Sequence, residues 1–333
     1  MRVSVVTVAY GAGASLGRLL DSLVGESDEV VVVDNGDGGE EIADAGAREG
    51  VRVVSPGENL GFAAGSNRGA REAAGDVLVF LNPDTVVAPG ALDSLRRTLE
   101  DRSIGIAMAR LLLLDRPEVL NSRGTEVHVS GIGWAAGYGE PVDTVRQLRD
   151  VAAPSGAAMA IRAETFHSLG GFAEELFMYL EDVELGWRAH LAGLRVVVDP
   201  EADVFHEYDF GRNPRKNYFI ERNRLFFCLT AFSPRLLVLL SPVLVSTELG
   251  MAVVALREGW FKDKAAGWGW CIRNGPVIVR RRRATQRLRK VRDRELAGLL
   301  TPVFDPAMLP VPRLLRAANP VVVRYWRLVR RAL

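Results

Sequence analysis

Val77-Leu78-Val79-Phe80-Leu81-Asn82-Pro83-Asp84-Thr85 is the stretch that decides the fold. Five apolar residues without a polar interruption predict a strand buried on both faces of a parallel sheet. Proline cannot donate to a sheet ladder, so the strand ends at Asn82-Pro83-Asp84. One carboxylate therefore stands at the carboxyl edge of a central strand, where open α/β sheets hold their ligands. Asn, Pro and Asp are also ordinary turn residues, so the flanking chain has to discriminate.

Working outward, strand-like and helix-like stretches alternate. Strands are predicted at residues 3–8, 29–33 and 51–55, and helices at 15–24, 40–49 and 63–74. This is a βαβαβ half with a parallel sheet and helices on both faces. Asp34 closes the second strand and opens the polar turn Asp34-Asn35-Gly36-Asp37-Gly38-Gly39, where a carboxylate can accept hydrogen bonds from a base or ribose. Gly11, Gly13 and Gly17 follow the first strand, but the third glycine position of G-x-G-x-x-G holds Leu16. That near miss leaves an NAD-dependent oxidoreductase as the alternative reading. The loop from Glu58 to Gly69 says more. Gly61 and Gly65 let backbone approach whatever lies above them, and Asn59 and Asn67 offer amides. The next helix points its N-terminus at the same space, which favours phosphate. Taken singly, each residue also fits an ordinary turn or a packing glycine.

Five motifs follow one another over roughly residues 1–230: Val31-Val32-Val33-Asp34-Asn35, Asn59-x-Gly61-Phe62-x-x-Gly65-x-Asn67, Leu81-Asn82-Pro83-Asp84, Ser155-Gly156-Ala157, and Tyr179-Leu180-Glu181-Asp182-Val183-Glu184-Leu185-Gly186-Trp187-Arg188. On these residues the chain resembles a family 2 glycosyltransferase of the GT-A fold, and within it the bacterial rhamnosyltransferase-like branch. The resemblance implies a Rossmann-like mixed sheet flanked by helices. It implies a nucleotide-sugar site built from Thr7, Ala9, Tyr10, Asp34, Asn59, Gly61, Gly65, Asn67, Asn82, Pro83, Asp84 and Gly156. Asp84 would reach a divalent metal on the diphosphate, Mg²⁺ or Mn²⁺, and His206 would complete the metal site. Asn82 stands where the full motif has a carboxylate, and Gly11 where relatives often have Asn.

Transfer of a sugar needs a base for the acceptor hydroxyl and positive charge for the departing nucleoside diphosphate. Met178 to Asp182 opens a helix predicted at 183–192. Asp182 near its N-cap fits simple capping as well as catalysis. The resemblance makes Asp182 the base and Glu181 its neighbour that orients the acceptor or tunes its pKa. A single base and direct displacement imply inversion. Glu184 and Arg188, at i and i+4, read as a helix surface pair. His128, Trp134 and Tyr138 lie in the unpatterned middle, where acceptor recognition is expected.

At 333 residues and 48% hydrophobic, the chain can bury a large core. Its net charge of +1 hides a split: residues 257–333 hold 19 Lys/Arg against 5 Asp/Glu, leaving 23 against 36 before them. Such asymmetry predicts an acidic body and a basic segment facing an anionic surface. Cys228 and Cys271 form no disulfide framework, and the chain opens on a strand pattern rather than a signal peptide. Residues 236–256 are nearly apolar enough to span a bilayer, yet Glu248 and Pro242 bring insertion close to neutral. The arginine run from Arg280 to Arg294 belongs on the same side as the catalytic domain, so a helix in the interface fits better than one span. The predicted organisation is a catalytic domain over 1–230, with a nucleotide-binding half over 1–100 and an acceptor half over 101–230. A helical, basic, membrane-associating region follows over 231–333. The expected partners are a nucleotide-sugar, a polyprenyl-linked or cell-envelope glycan acceptor, and the cytoplasmic face of the inner membrane. No aromatics interleave the arginine run, so no nucleic acid is expected. Homo-oligomerisation is left open.

Overall fold

The computed structural model describes residues 1–36, 38–207, 213–307 and 313–333. Asp37, in the predicted polar turn, lies outside them.

The first half runs β1 (Val3–Ala9), α1 (Ala14–Ser22), β2 (Glu29–Asp34), α2 (Glu40–Gly46), β3 (Val51–Val54), α3 (Gly61–Glu72) and β4 (Val77–Leu81). These strands pair in parallel in the order β3-β2-β1-β4. All five residues of β4 are buried, as an uninterrupted apolar run requires. The strand stops where expected, and Thr85 turns the chain by donating its N–H and Oγ1 to the Asn82 carbonyl at 3.2 and 2.7 Å.

The next elements are β5 (Thr85–Val87), α4 (Ala91–Thr98), β6 (Ile104–Leu113), β7 (Arg116–Ser122), β8 (Thr125–His128), β9 (Gly133–Ala135), β10 (Arg149–Asp150), β11 (Ala158–Arg162), α5 (Ala163–Leu169), α6 (Glu181–Leu191) and β12 (Arg195–His206). β11 runs antiparallel between β4 and β6, and β12 runs parallel to β6. The main sheet is therefore mixed, in the order β10-β12-β6-β11-β4-β1-β2-β3, with β5 and β7 pairing off this path. The mixed α/β architecture agrees with the sequence reading. β4 sits near its middle, so its carboxyl end opens between the parallel half and the mixed half.

The remaining helices are α7 (Lys216–Ala231), α8 (Pro234–Glu258), α9 (Phe261–Arg273), α10 (Gly275–Arg287), α11 (Asp293–Leu296) and α12 (Arg313–Ala332), with a short strand, β13 (Leu300–Thr301), between the last two. β13 pairs with β8, and β8 with β9, forming a second, three-stranded sheet. Trp187 of α6, Phe227 of α7, Leu236 of α8 and Trp326 of α12 share one hydrophobic cluster.

α8 starts cleanly: the Ser233 Oγ accepts from Leu236 N at 3.0 Å, and Pro234 fills the first position. Among the described residues it is the one helix long and apolar enough to cross a membrane. Glu248, the charge that weighed against insertion, faces the protein. It pairs with Arg224, with Lys264 at 3.1 Å and with the Trp268 indole N–H at 2.7 Å. A neighbouring face is bare: Val238, Val245, Leu249 and Leu256 are 72%, 57%, 66% and 62% exposed. Their spacings of seven, four and seven put them on one stripe.

Candidate active site

The parallel register brings the strand ends together. Ala9 lies opposite Asp34, and Thr7 opposite Leu81, so Tyr10, Asp34 and Asn82 leave the sheet at one edge. The Asp34 carboxylate accepts from Gly36 N and Ser55 Oγ, each at 3.2 Å. A Cβ added at Gly36 would stand 3.7 Å from the Tyr10 ring and 3.9 Å from Asp34 Oδ1. Tyr10, 66% exposed, and Asp34 thus frame one ledge over a glycine floor. Thr7 and Ala9 are buried within β1 beneath it. The ledge is two strand spacings, about 10 Å, from the end of β4.

Asp84 follows β4, and His206 ends β12, which lies three strands away in the sheet order. The pairing of β5 with β12, Thr85 opposite His206, folds them together. Asp84 Oδ1 is 3.3 Å from His206 Nε2, while His206 Nδ1 is 3.0 Å from Asn121 Oδ1. In the tautomer whose Nδ1–H donates to the Asn121 carbonyl, Nε2 would turn its lone pair towards the carboxylate and could serve as a ligand. A carboxylate oxygen and an imidazole nitrogen at this separation suit adjacent positions on a divalent cation. Among the described residues no group of three or more His, Cys, Asp or Glu is placed to hold a metal. A metal bound by this pair would have to take most of its ligands from a diphosphate and water. Asn121 lies near the end of β7 and belongs to none of the five sequence motifs.

Glu181 and Asp182 open α6, and they enter it further than predicted: the helix starts at Glu181, and Leu180, φ 65°, occupies the N-cap. Leu180 offers no side-chain cap, and Asp182 stands inside the first turn rather than at the N-cap. Its Oδ2 accepts from Gly156 N at 2.8 Å and its Oδ1 from Val183 N at 2.7 Å. Gly156 therefore orients the carboxylate as well as lining the cavity. Burial raises the Asp182 pKa, and burial together with the Asp182 charge pushes Glu181 well above the ordinary carboxylate range. Glu181 Oε2 is buried without a hydrogen-bond partner among the described residues. Both carboxylates line a cavity of about 330 Å³ shared with Asn82, Asn121, Trp134, Gly156, Tyr179 and His206. Trp134 thus reaches the site, whereas His128 lines a separate apolar cavity beside α8 and α12.

The raised Glu181 pKa carries a stability consequence. Between its unfolded value, about 4.3, and its higher folded value, the folded chain holds more protons, so stability falls as pH rises. Glu181→Gln is expected to melt roughly 2–4 °C above the parent at pH 8, with the gap closing towards pH 4. Thermal melts across that range would show parallel curves if the side chain were not held protonated by the fold.

Other expected donor contacts have structural partners. A Cβ at Gly61, φ +75°, would lie 2.5 Å from the Phe177 carbonyl oxygen, and one at Gly65 would lie 3.0 Å from Val8. The neighbours that these glycines admit are Phe177 and β1. Asn59 Oδ1 accepts from Gly61 N at 2.8 Å and from Asn35 Nδ2 at 2.9 Å, fixing the loop. Asn67 spends its amide on the Phe172 carbonyl and Glu174 Oε1, each at 2.9 Å. Glu184 and Arg188 correct a second expectation. They form a buried pair, 0% and 1% exposed, with Arg188 also donating to the Leu169 carbonyl at 2.5 Å. Gly61→Ala is expected to cost about 1–3 kcal/mol more than Gly57→Ala. Both residues have positive φ, but only Gly61 has an obstruction within 4 Å. Chemical denaturation of the two variants measures the difference.

The ledge of Tyr10 and Asp34, the Asp84–His206 pair and the buried Glu181–Asp182 carboxylates thus gather at the carboxyl edge of the sheet, the two buried carboxylates in one cavity with His206. A family model described as glycosyl transferase family 2 matches residues 4–169. The N-acetylglucosaminyl-diphospho-decaprenol L-rhamnosyltransferase of Mycobacterium tuberculosis is 31% identical over 240 residues, covering 63% of this chain and 78% of that protein. The chain belongs to glycosyl transferase family 2 and is a glycosyltransferase of the rhamnosyltransferase-like kind. The pre-mycofactocin glycosyltransferase of the same organism is 31% identical over 209 residues, 62% of this chain and 43% of that protein. Two solved structures share the fold. GalNAc-T7, crystallised with UDP, GalNAc and Mn²⁺, has a TM-score of 0.59 at 19% identity over 69% of this chain and 48% of its own. TarS 1-349 from S. aureus has a TM-score of 0.51 at 16% identity, over 100% of this chain and 91% of its own. The dinucleotide-binding alternative gains no support from these comparisons.

Proposed function

We propose that this chain is an inverting, divalent-metal-dependent glycosyltransferase that moves a sugar, with dTDP-rhamnose as the expected donor, onto a lipid-linked saccharide. The observation that carries this reading is the Asp182 carboxylate, oriented by Gly156 N in the cavity that also holds Asn82 and His206. Asp182 takes the proton of the acceptor hydroxyl as its oxygen bonds to the anomeric carbon. The bond from that carbon to the phosphate oxygen breaks, and its electron pair leaves with the nucleoside diphosphate. Attack opposite to departure inverts the anomeric centre. Glu181 receives the acceptor's hydroxyls, Tyr10 stacks on the base and Asp34 accepts from base or ribose. Asp84 and His206 would hold Mg²⁺ or Mn²⁺, which supplies positive charge to the diphosphate. The rhamnosyltransferase relative, whose name specifies a diphospho-decaprenol acceptor, supports the lipid-linked substrate.

Residues 1–230 supply the site in this reading, and 231–333 supply the platform that docks on the cytosolic face of the membrane. The bare stripe of α8 would lie among acyl chains and the arginines among anionic headgroups. Leu249→Glu is expected to lower binding to anionic phospholipid vesicles by tenfold or more, since burying a leucine contributes about 1.5–3 kcal/mol. Vesicle sedimentation reads it, and unchanged partition would sink the platform.

A screen of purified protein against dTDP-, UDP- and GDP-sugars, with either metal and with EDTA, tests the central reading. Metal-dependent nucleoside diphosphate release from one donor is expected. No turnover and no donor binding, with lipid acceptors supplied, would overturn it.

A further inference from the structure

Four consecutive polar residues, Glu221-Arg222-Asn223-Arg224, sit in the middle of α7, and all are buried, at 4%, 5%, 0% and 1% exposure. Successive helix residues point in different directions, so one buried quartet serves more than one neighbour. Glu221 and Arg224 join the ion cluster that anchors Glu248 of α8. Arg222 and Asn223 turn to the segment that leads into α6.

That segment is strained. Phe177, Tyr179 and Leu180 have φ of 65°, 69° and 65°, a region that residues with a Cβ rarely occupy. Asn223 Nδ2 lies 3.0, 2.8 and 2.7 Å from the carbonyl oxygens of Leu176, Met178 and Tyr179. Its Oδ1 accepts from Arg222 Nε at 2.8 Å, and Arg222 Nη2 donates to the carbonyls of Glu175 and Leu176 at 2.9 and 2.6 Å. The Phe219 ring stacks on Phe177, with centroids 5.2 Å apart and planes at 10°. From the other side, the Phe177 carbonyl accepts from Ala63 N at 3.0 Å. Left-handed turns aim these carbonyls at α7, and relaxation to right-handed geometry would swing them away. Met178 to Asp182 line the catalytic cavity directly after this turn.

We propose that Asn223, seated by Arg222, is a positioning residue that holds the strained 177–180 turn so that Glu181 and Asp182 enter the cavity in working orientation. The proposal rests on Asp182 as the base. The full chain carrying Asn223→Ala is compared with the parent and with Phe227→Leu, a buried change elsewhere on α7 against Trp187. Hydrogen–deuterium exchange of residues 175–183, without substrate, is expected to quicken about tenfold or more in Asn223→Ala only. Its kcat should fall about 100-fold with donor KM nearly unchanged. The acidic limb of its kcat/KM profile should move to lower pH, because water reaching Glu181 relieves the burial that raises its pKa. A general loss of stability, as in Phe227→Leu, lowers activity without moving that limb. Unchanged exchange overturns the clamp, and faster exchange with kcat and limb unaltered overturns the positioning role. If Asn223→Ala does not fold, Phe219→Leu, which removes the ring stacked on Phe177, is read the same way. A parent protein without turnover would overturn the proposed function and the positioning role together, whereas the exchange data report on the turn alone.

Discussion

Asp182→Asn lowers kcat by about 10²–10⁴-fold while donor KM stays within a few-fold of the parent; this is the first expected result. The substitution keeps the size and leaves one oxygen for Gly156 N, which donates at 2.8 Å, while its NH2 replaces the Oδ1 that accepts from Val183 N at 2.7 Å, a local loss at the first turn of α6. What it removes is the basic oxygen. His206 shares the cavity but faces Asp84, and His128 and His190 are held in other contacts. The pH profile distinguishes a base from a structural carboxylate. Burial raises Asp182, and Glu181 beside it is raised further, so the pair holds a proton at pH values where an exposed carboxyl is ionised. Activity needs the deprotonated base, so kcat/KM falls as pH drops through the raised value. That acidic limb should lie above the ordinary Asp value of about 3.9. The two carboxyls titrate as a pair, so the limb belongs to both. An Asp182→Asn enzyme with kcat within fivefold of the parent would remove Asp182 from the mechanism.

Asp84→Ala is the second, with an expected loss of about 10³-fold in kcat/KM and of the metal dependence of donor binding. Its Oδ1 lies 3.3 Å from the Nε2 of His206, and in the proposed function these two atoms would hold the metal. Removing the carboxylate would leave the imidazole as the one proposed protein ligand, and chelation of the parent by EDTA should reproduce the loss. Asn121→Ala provides the graded control. It leaves both ligands but frees the His206 ring, and outer-shell partners of metal ligands are worth roughly 10–100-fold in affinity or activity. Titration calorimetry of Mn²⁺ with a nucleoside diphosphate would rank the parent first, Asn121→Ala second and Asp84→Ala last. Equal metal affinity in all three would place the metal elsewhere or remove it from the reaction.

Much of this site was legible along the chain. The run from Val77 to Leu81 determined a buried strand, and Pro83 determined where it stops, because apolar periodicity and a missing donor act on the residues that carry them. The order of motifs gave Asp34, Asp84 and the Glu181-Asp182 pair, and the structure sets the last three around one cavity and its edge. What tertiary structure alone decided is which partner each side chain meets. Asn121 and His206 are 85 residues apart and bond at 3.0 Å because β7 and β12 both pair with β6 in the folded sheet. Glu248 read as a cost to membrane insertion, yet it is neutralised by Arg224 and Lys264 from neighbouring helices. Gly61 and Gly65 read as openings for a donor, and the fold fills them with Phe177 and Val8. Glu184 and Arg188 kept their i, i+4 pairing but exchanged a solvent face for the core. Sequence periodicity reports which face of an element is buried, but the identity of whatever covers that face depends on contacts between segments far apart in the chain.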